Sequence, residues 1–189
     1  MIQRIDSMLF IIFLTLLCIF CAGSGIAFLS MNRKNLPFWE KLPRNRVSGG
    51  IVGTLALLCF IPNVRPLFSP EENLYWLIPA ALALSALCYF YLDHLFARAC
   101  AGAMILLVHY LLAQSFTADL KGRGVFALFC FAAGSFAIFT AAKPYVLRDC
   151  FRKMCQMQRW KLTGAVFLFL WGISSLILLL QQIGKGMAS

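Results

Sequence analysis

Residues 8–30 read MLFIIFLTLLCIFCAGSGIAFLS, without a single Asp, Glu, Lys or Arg. A helix rises about 1.5 Å per residue, so about 20 apolar residues in a row cross the ~30 Å hydrocarbon core of a bilayer. This stretch is long enough to be a retained membrane span. It is too long for the apolar part of a cleavable leader, and a basic loop follows it. Residues 162–183, LTGAVFLFLWGISSLILLLQQI, have the same character, and four further runs lie at about 47–61, 74–92, 97–116 and 125–142. The pattern predicts an all-α, polytopic integral membrane protein, a bundle of about six transmembrane helices forming one domain over residues 1–189. The run at 47–61 is the shortest, and Pro62 and Arg65 follow it. A tilted, thinned or partly re-entrant segment is expected there.

Composition agrees. Hydrophobic residues make up 61% of the chain, against roughly 45–50% in soluble domains. The 13% that are charged fall in clusters between the apolar runs. A net charge of +10 invites a nucleic-acid reading, but that would require a soluble scaffold with a basic surface, which this chain lacks. Six of the eight cysteines lie in or beside apolar runs and act as small hydrophobes. Cys150 and Cys155 fall in a basic loop. No structural disulfide is expected.

Twelve of the seventeen basic residues occupy the first, third and fifth loops. Lys and Arg are retained on the cytoplasmic side, so the odd loops are expected inside and both termini outside. A bacterial plasma (inner) membrane is the expected location. Ser69-Pro70-Glu71-Glu72 has the signature of a capped start for the third helix, with Tyr75 and Trp76 at the interface and a kink at Pro79. Small residues recur at helical spacing in Gly49 and Gly53, in Ala99 and Ala103, and in Ala133, Ala137 and Ala141. Such spacing lets helix backbones approach in lipid.

His109 is the one ionisable side chain deep within an apolar run, which makes it the first functional candidate. On a helix it shares a stripe with Gly102, Ile105, Ala113 and Phe116, so this face is expected to meet another helix. Thr15, Ser85, Ser174 and Ser175 fall at similar depth, and a hydrogen-bonded polar layer is the hypothesis. A neutral histidine satisfied by one hydroxyl or carbonyl is the plainer alternative. No Asp or Glu lies deep in any run, which weighs against ion-coupled transport, since that chemistry commonly uses a buried carboxylate.

Residues 145–161 read as an amphipathic helix. Leu147, Cys150, Phe151, Met154, Cys155 and Met157 lie on one arc, with Arg148, Arg152, Lys153 and Arg159 on the other. Gln158, Trp160 and Lys161 fit this pattern poorly. A basic amphipathic helix between spans is expected on the cytoplasmic leaflet, facing anionic lipid head groups or a partner. The first loop, with Leu36-Pro37 and Leu42-Pro43, is expected to be extended, because residues before proline avoid the helical region.

Catalytic signatures are weak. Cys18 and Cys21 have redox spacing but lie mid-run. Gly23-Ser24-Gly25 lacks the surroundings of an intramembrane serine protease, and Trp76 stands where a paired-glutamate membrane protease has arginine. His94 and His109 have no companions at metal-ligand spacing, and no phosphate-binding loop occurs. No cofactor or metal is expected. The leading expectation is a non-enzymatic small subunit or scaffold of a membrane complex, whose partners are the bilayer and other membrane subunits, with no nucleic acid. A passive channel or simple transporter around His109 is the alternative. A lipid-modifying enzyme using Asp93, His94 and Arg98 is the third.

Overall fold

A computed structural model of the chain describes residues 2–41, 45–64, 74–92 and 94–188. Among them are α1 (Ile2–Ser30), α2 (Leu36–Lys41), α3 (Arg46–Val64), α4 (Leu77–Tyr91), α5 (Leu95–Thr117), α6 (Arg123–Ala142), α7 (Tyr145–Gln156) and α8 (Gln158–Ala188). Short 3₁₀ turns cover Arg33–Asn35 and Leu74–Trp76, and the described residues contain no strand. Four stretches, Met8–Ser30, Leu95–Thr117, Arg123–Ala142 and Gln158–Lys185, are long and apolar enough to cross a membrane. The described parts of α3 and α4 are apolar but shorter.

Helix ends follow local chemistry and correct several expectations. In the first loop, residues 33–41 are helical and not extended. Leu36 sits at φ −52°, ψ −46° and opens α2. Pro37 costs nothing in a first turn, whose N–H groups have no partner in the helix, and the Trp39 ring packs on Phe151 with 5.5 Å between centroids. Leu42-Pro43 and Ser69 to Glu72 lie outside the described residues. Asn45, unremarked in the sequence, starts α3 by accepting from the N–H groups of Val47 (3.1 Å) and Ser48 (3.4 Å), and the helix runs past Pro62 to Val64. Pro79 lies in the first turn of α4, because Leu74–Trp76 is a 3₁₀ turn and the α-helix begins only at Leu77. Its missing N–H falls where none is needed, so no kink is required. The amphipathic segment ends at Gln156. Gln158, Trp160 and Lys161 fit its pattern poorly because they form the first turn of α8.

The chain divides into two compact units. The first comprises Met1–Leu36, Leu107–Ala133 and Arg152–Ser189. Its spine is an antiparallel seam of α1 and α8 in which Cys18 meets Ser175, Cys21 meets Gly172, Gly25 meets Phe169 and Phe28 meets Gly164. The third pair is tight, since a Cβ on Gly25 would stand 3.0 Å from the Phe169 ring. Phe10, Leu14, Leu17 and Cys21 form one buried stripe on α1, and Leu168, Trp171 and Leu178 of α8, Leu111 of α5 and Phe126 and Cys130 of α6 are buried in the same unit. At the turn between α5 and α6, Asp119 and Gly122 adopt φ of +46° and +82°. The Lys185 ammonium caps the Ala118 and Asp119 carbonyls at 2.8 and 3.2 Å, Gln181 brackets the backbone of Lys121, and Arg123 pairs with Asp119. At the opposite end of this unit, Lys161 donates to the Met31 carbonyl at 3.4 Å.

The second unit comprises Pro37–Leu106 and Gly134–Phe151. Here α3 lies against α4 and the start of α5. A Cβ on Gly49 would stand 2.4 Å from the Phe96 nitrogen and 2.8 Å from the Leu95 carbonyl carbon, and one on Gly53 would meet the Ala99 methyl at 3.5 Å. The Gly49/Gly53 and Ala99/Ala103 patterns, read separately from the sequence, are therefore two sides of one crossing. Ala137 and Thr140 of α6 are buried as well.

Candidate functional site

His109 stands mid-way along α5, 14 residues from its first residue, Leu95, and 8 from its last, Thr117. The imidazole is exposed, as are Ala113 and Phe116 one and two turns on, and a Cβ on Gly102 would meet open space. The opposite side of the same helix is the buried one, through Val108, Leu111 and Ser115. Of the stripe that the sequence assigned to a neighbouring helix, His109, Ala113 and Phe116 thus face outward, whereas Gly102 lines a cavity against α3 and α4. His109 has no hydrogen bond among the described residues.

The hydroxyls expected to join it are satisfied elsewhere. Ser85 on α4 pairs with Thr54 on α3, and the pair sits in the wall of an open apolar groove of about 620 Å³ between those two helices. Ser174 donates to the Trp171 carbonyl at 2.8 Å, and Thr15 to the Ile11 carbonyl at 2.8 Å. Ser175 is fully buried, donates to the Gly172 carbonyl at 2.8 Å and meets the Cys18 sulfur at 3.0 Å. The polar layer resolves into separate local pairs because each hydroxyl reaches a carbonyl or hydroxyl within its own helix or the next. A path lined by His109 inside a single chain gains no support, since the side chain is on the outer surface.

Two polar contacts escaped the sequence reading. Cys18, taken as a small hydrophobe, is the partner of Ser175; its place one turn from Thr15 was the only hint. Trp171 is buried, its indole N–H finds no acceptor, and the Cys130 sulfur stands beside it. Nothing in the sequence flags that pairing.

The basic amphipathic helix keeps its two arcs, but the apolar one is already occupied. Phe151, Met154 and Cys155 are buried, with Phe151 on Trp39 and the Met154 methyl pressed toward Gly164. Met157, assigned to that arc, lies in the break and is exposed. Arg152, Lys153 and Arg159 face outward. Arg148 is held by Asp149 at 3.2 Å, and the Lys153 ammonium lies 5.3 Å over the Trp160 ring. Of the third candidate set, Asp93 lies outside the described residues, His94 turns the chain at φ +56°, and Arg98 is exposed in the first turn of α5. All eight cysteines are free thiols, and no cluster of three metal-ligating side chains occurs among the described residues.

No family model, curated protein or solved structure matches this chain.

Proposed function

We propose that the chain is an integral membrane protein that acts as a small non-enzymatic subunit or scaffold, binding a further membrane helix through the outward face of α5. His109 carries this reading. Ionisable side chains at membrane depth face a bundle interior or a water-filled space and find a polar partner there. The imidazole faces neither within its own chain, so the interior it serves is one shared with another chain. Ala113, exposed one turn on, permits close backbone approach, which drives helix association in lipid.

A bilayer setting is supported by the outward side chains, among them Leu16, Ile19 and Phe20 on α1, Leu128, Phe131 and Phe139 on α6, and Leu180 on α8. These far exceed the apolar patches that monomeric soluble proteins expose. Six crossings require α3 and α4 to span as well. At 19 residues α3 reaches about 28 Å, and α4 extended by its 3₁₀ turn reaches about the same. In the first unit, Arg33, Arg152, Lys153, Arg159 and Lys161 gather where α1 ends and α8 begins. By the positive-inside tendency that end is cytoplasmic and both chain termini are external, in a bacterial plasma membrane. With the apolar arc of α7 packed on protein, its basic arc is left to meet anionic head groups, each such residue contributing about 1 kcal/mol.

The test is a photo-crosslinking residue placed at position 109 in native membranes. A discrete adduct of fixed mass is expected, and the same probe at Leu111 on the buried side should give none. A solitary, monodisperse protein with no adduct at 109 after gentle extraction would remove the reading.

A further inference from the structure

Between α3, α4 and the start of α5 lies a cavity of about 210 Å³, lined by Gly49 and Gly53 of α3, Cys88 of α4, and Arg98, Ala99 and Ala103 of α5. It lies wholly within the second unit. Protein interiors leave few voids larger than one water molecule, and this partly open one is many times that size. It exists because Gly53, Gly102 and Ala103 put little side-chain volume into the space between the helices, while Gly49 brings α3 onto the backbone of Phe96 at the end. Its walls are almost wholly apolar, so water would find no set of partners there. No carboxylate lines it, and the one charged group on its wall is the exposed guanidinium of Arg98 in the first turn of α5.

We propose that this cavity binds one acyl chain of an anionic phospholipid, with the lipid phosphate held by Arg98 at the helix-end rim. The inference rests on the bilayer part of the proposed function and not on the α5 interface. Surrounded by lipid, an apolar slot of this width is filled by the methylene chain at its mouth. A guanidinium beside that mouth selects the head group, because its planar donors match phosphate oxygens in a charge-assisted pair. The start of α3 at Arg46 lies at the same end as the start of α5, and two helix N-termini add positive potential there.

The full chain is reconstituted in nanodiscs of equal phosphatidylglycerol and phosphatidylcholine and released for native mass spectrometry. Wild type should emerge with one phosphatidylglycerol, enriched about tenfold over phosphatidylcholine. Arg98→Gln should keep a lipid but lose the head-group preference, and Ala103→Leu, which fills the slot, should emerge bare. A measurement needing no variant is photolabelling by phosphatidylglycerol with a diazirine in its acyl chain, which should mark the segments around Cys88 and Ala103. Label spread evenly over all helices, equal retention of both lipids by wild type, or a co-released polypeptide in place of lipid would each overturn the proposal. Failure of the protein to enter the discs would instead sink the bilayer reading, and the lipid site with it.

Discussion

The sulfur of Cys18 on α1 lies 3.0 Å from the hydroxyl oxygen of Ser175 on α8, in a chain where those residues are 157 positions apart. This contact sets the register of the α1–α8 seam, since Cys21 meets Gly172 one turn further along α1 and one turn back along α8. The register is directly testable. Ser175→Cys should form a disulfide with Cys18 on mild oxidation, read as one linked peptide pair by mass spectrometry. Leu176→Cys, on an exposed position, should not. Absence of the 18–175 link would mean that the two helices pack in another register.

The crossing of α3 and α5 predicts a contrast between two glycines on the same helix. Gly49→Ala places a methyl 2.4 Å from the Phe96 nitrogen, a backbone atom that cannot swing aside. Overpacking of this kind costs about 1–3 kcal/mol. Gly53→Ala meets the Ala99 methyl at 3.5 Å, an ordinary contact, and replaces a poor helix former with a good one. Thermal unfolding in detergent should show a clear loss for the first and little change or a small gain for the second. Equal effects would refute the crossing.

Replacing His109 should separate folding from association. His109→Leu removes an exposed side chain with no hydrogen bond among the described residues, so the melting temperature of the isolated chain should hold. Association through α5 should weaken by about 3- to 18-fold, matching the ~0.6–1.7 kcal/mol measured for interhelical hydrogen bonds in membranes. Co-purification yield against the unchanged chain checks this. A large drop in melting temperature with unaltered association would invert the assignment.

Orientation is tested by membrane-impermeant thiol labelling of intact cells with single cysteines at the outward positions Arg152, Arg159, Lys121 and Gly124. The first two should label only after permeabilisation, and the last two without it. The reverse result would turn the molecule over without disturbing the helices.

The length and polarity of the apolar runs marked the long helices within a few residues, because both properties are local to each segment. The amphipathic helix read over 145–161 ends at Gln156, and the misfit of Gln158, Trp160 and Lys161 falls just past that boundary. Less legible were ends governed by a single cap. Asn45 extends α3, and the 3₁₀ turn before Leu77 makes Pro79 harmless; both depend on one turn's backbone geometry, which periodicity does not record. His109 was found from sequence, but the direction it faces was not. Its stripe of small residues suggested a facing helix, but periodicity does not record which side of α5 the rest of the chain covers.

By itself the chain's chemistry determined the all-α class, the four long apolar helices and the concentration of basic charge in alternate loops. Those follow from the solvation of individual side chains and from intrahelical hydrogen bonds, which need no distant contact. Tertiary structure alone decided that Cys18 meets Ser175, that Gly49 lies on Phe96, that Ser85 pairs with Thr54, and that His109 is left facing outward. Such pairings depend on how closely the backbones of two helices approach, and that distance is fixed by the shapes of both surfaces together.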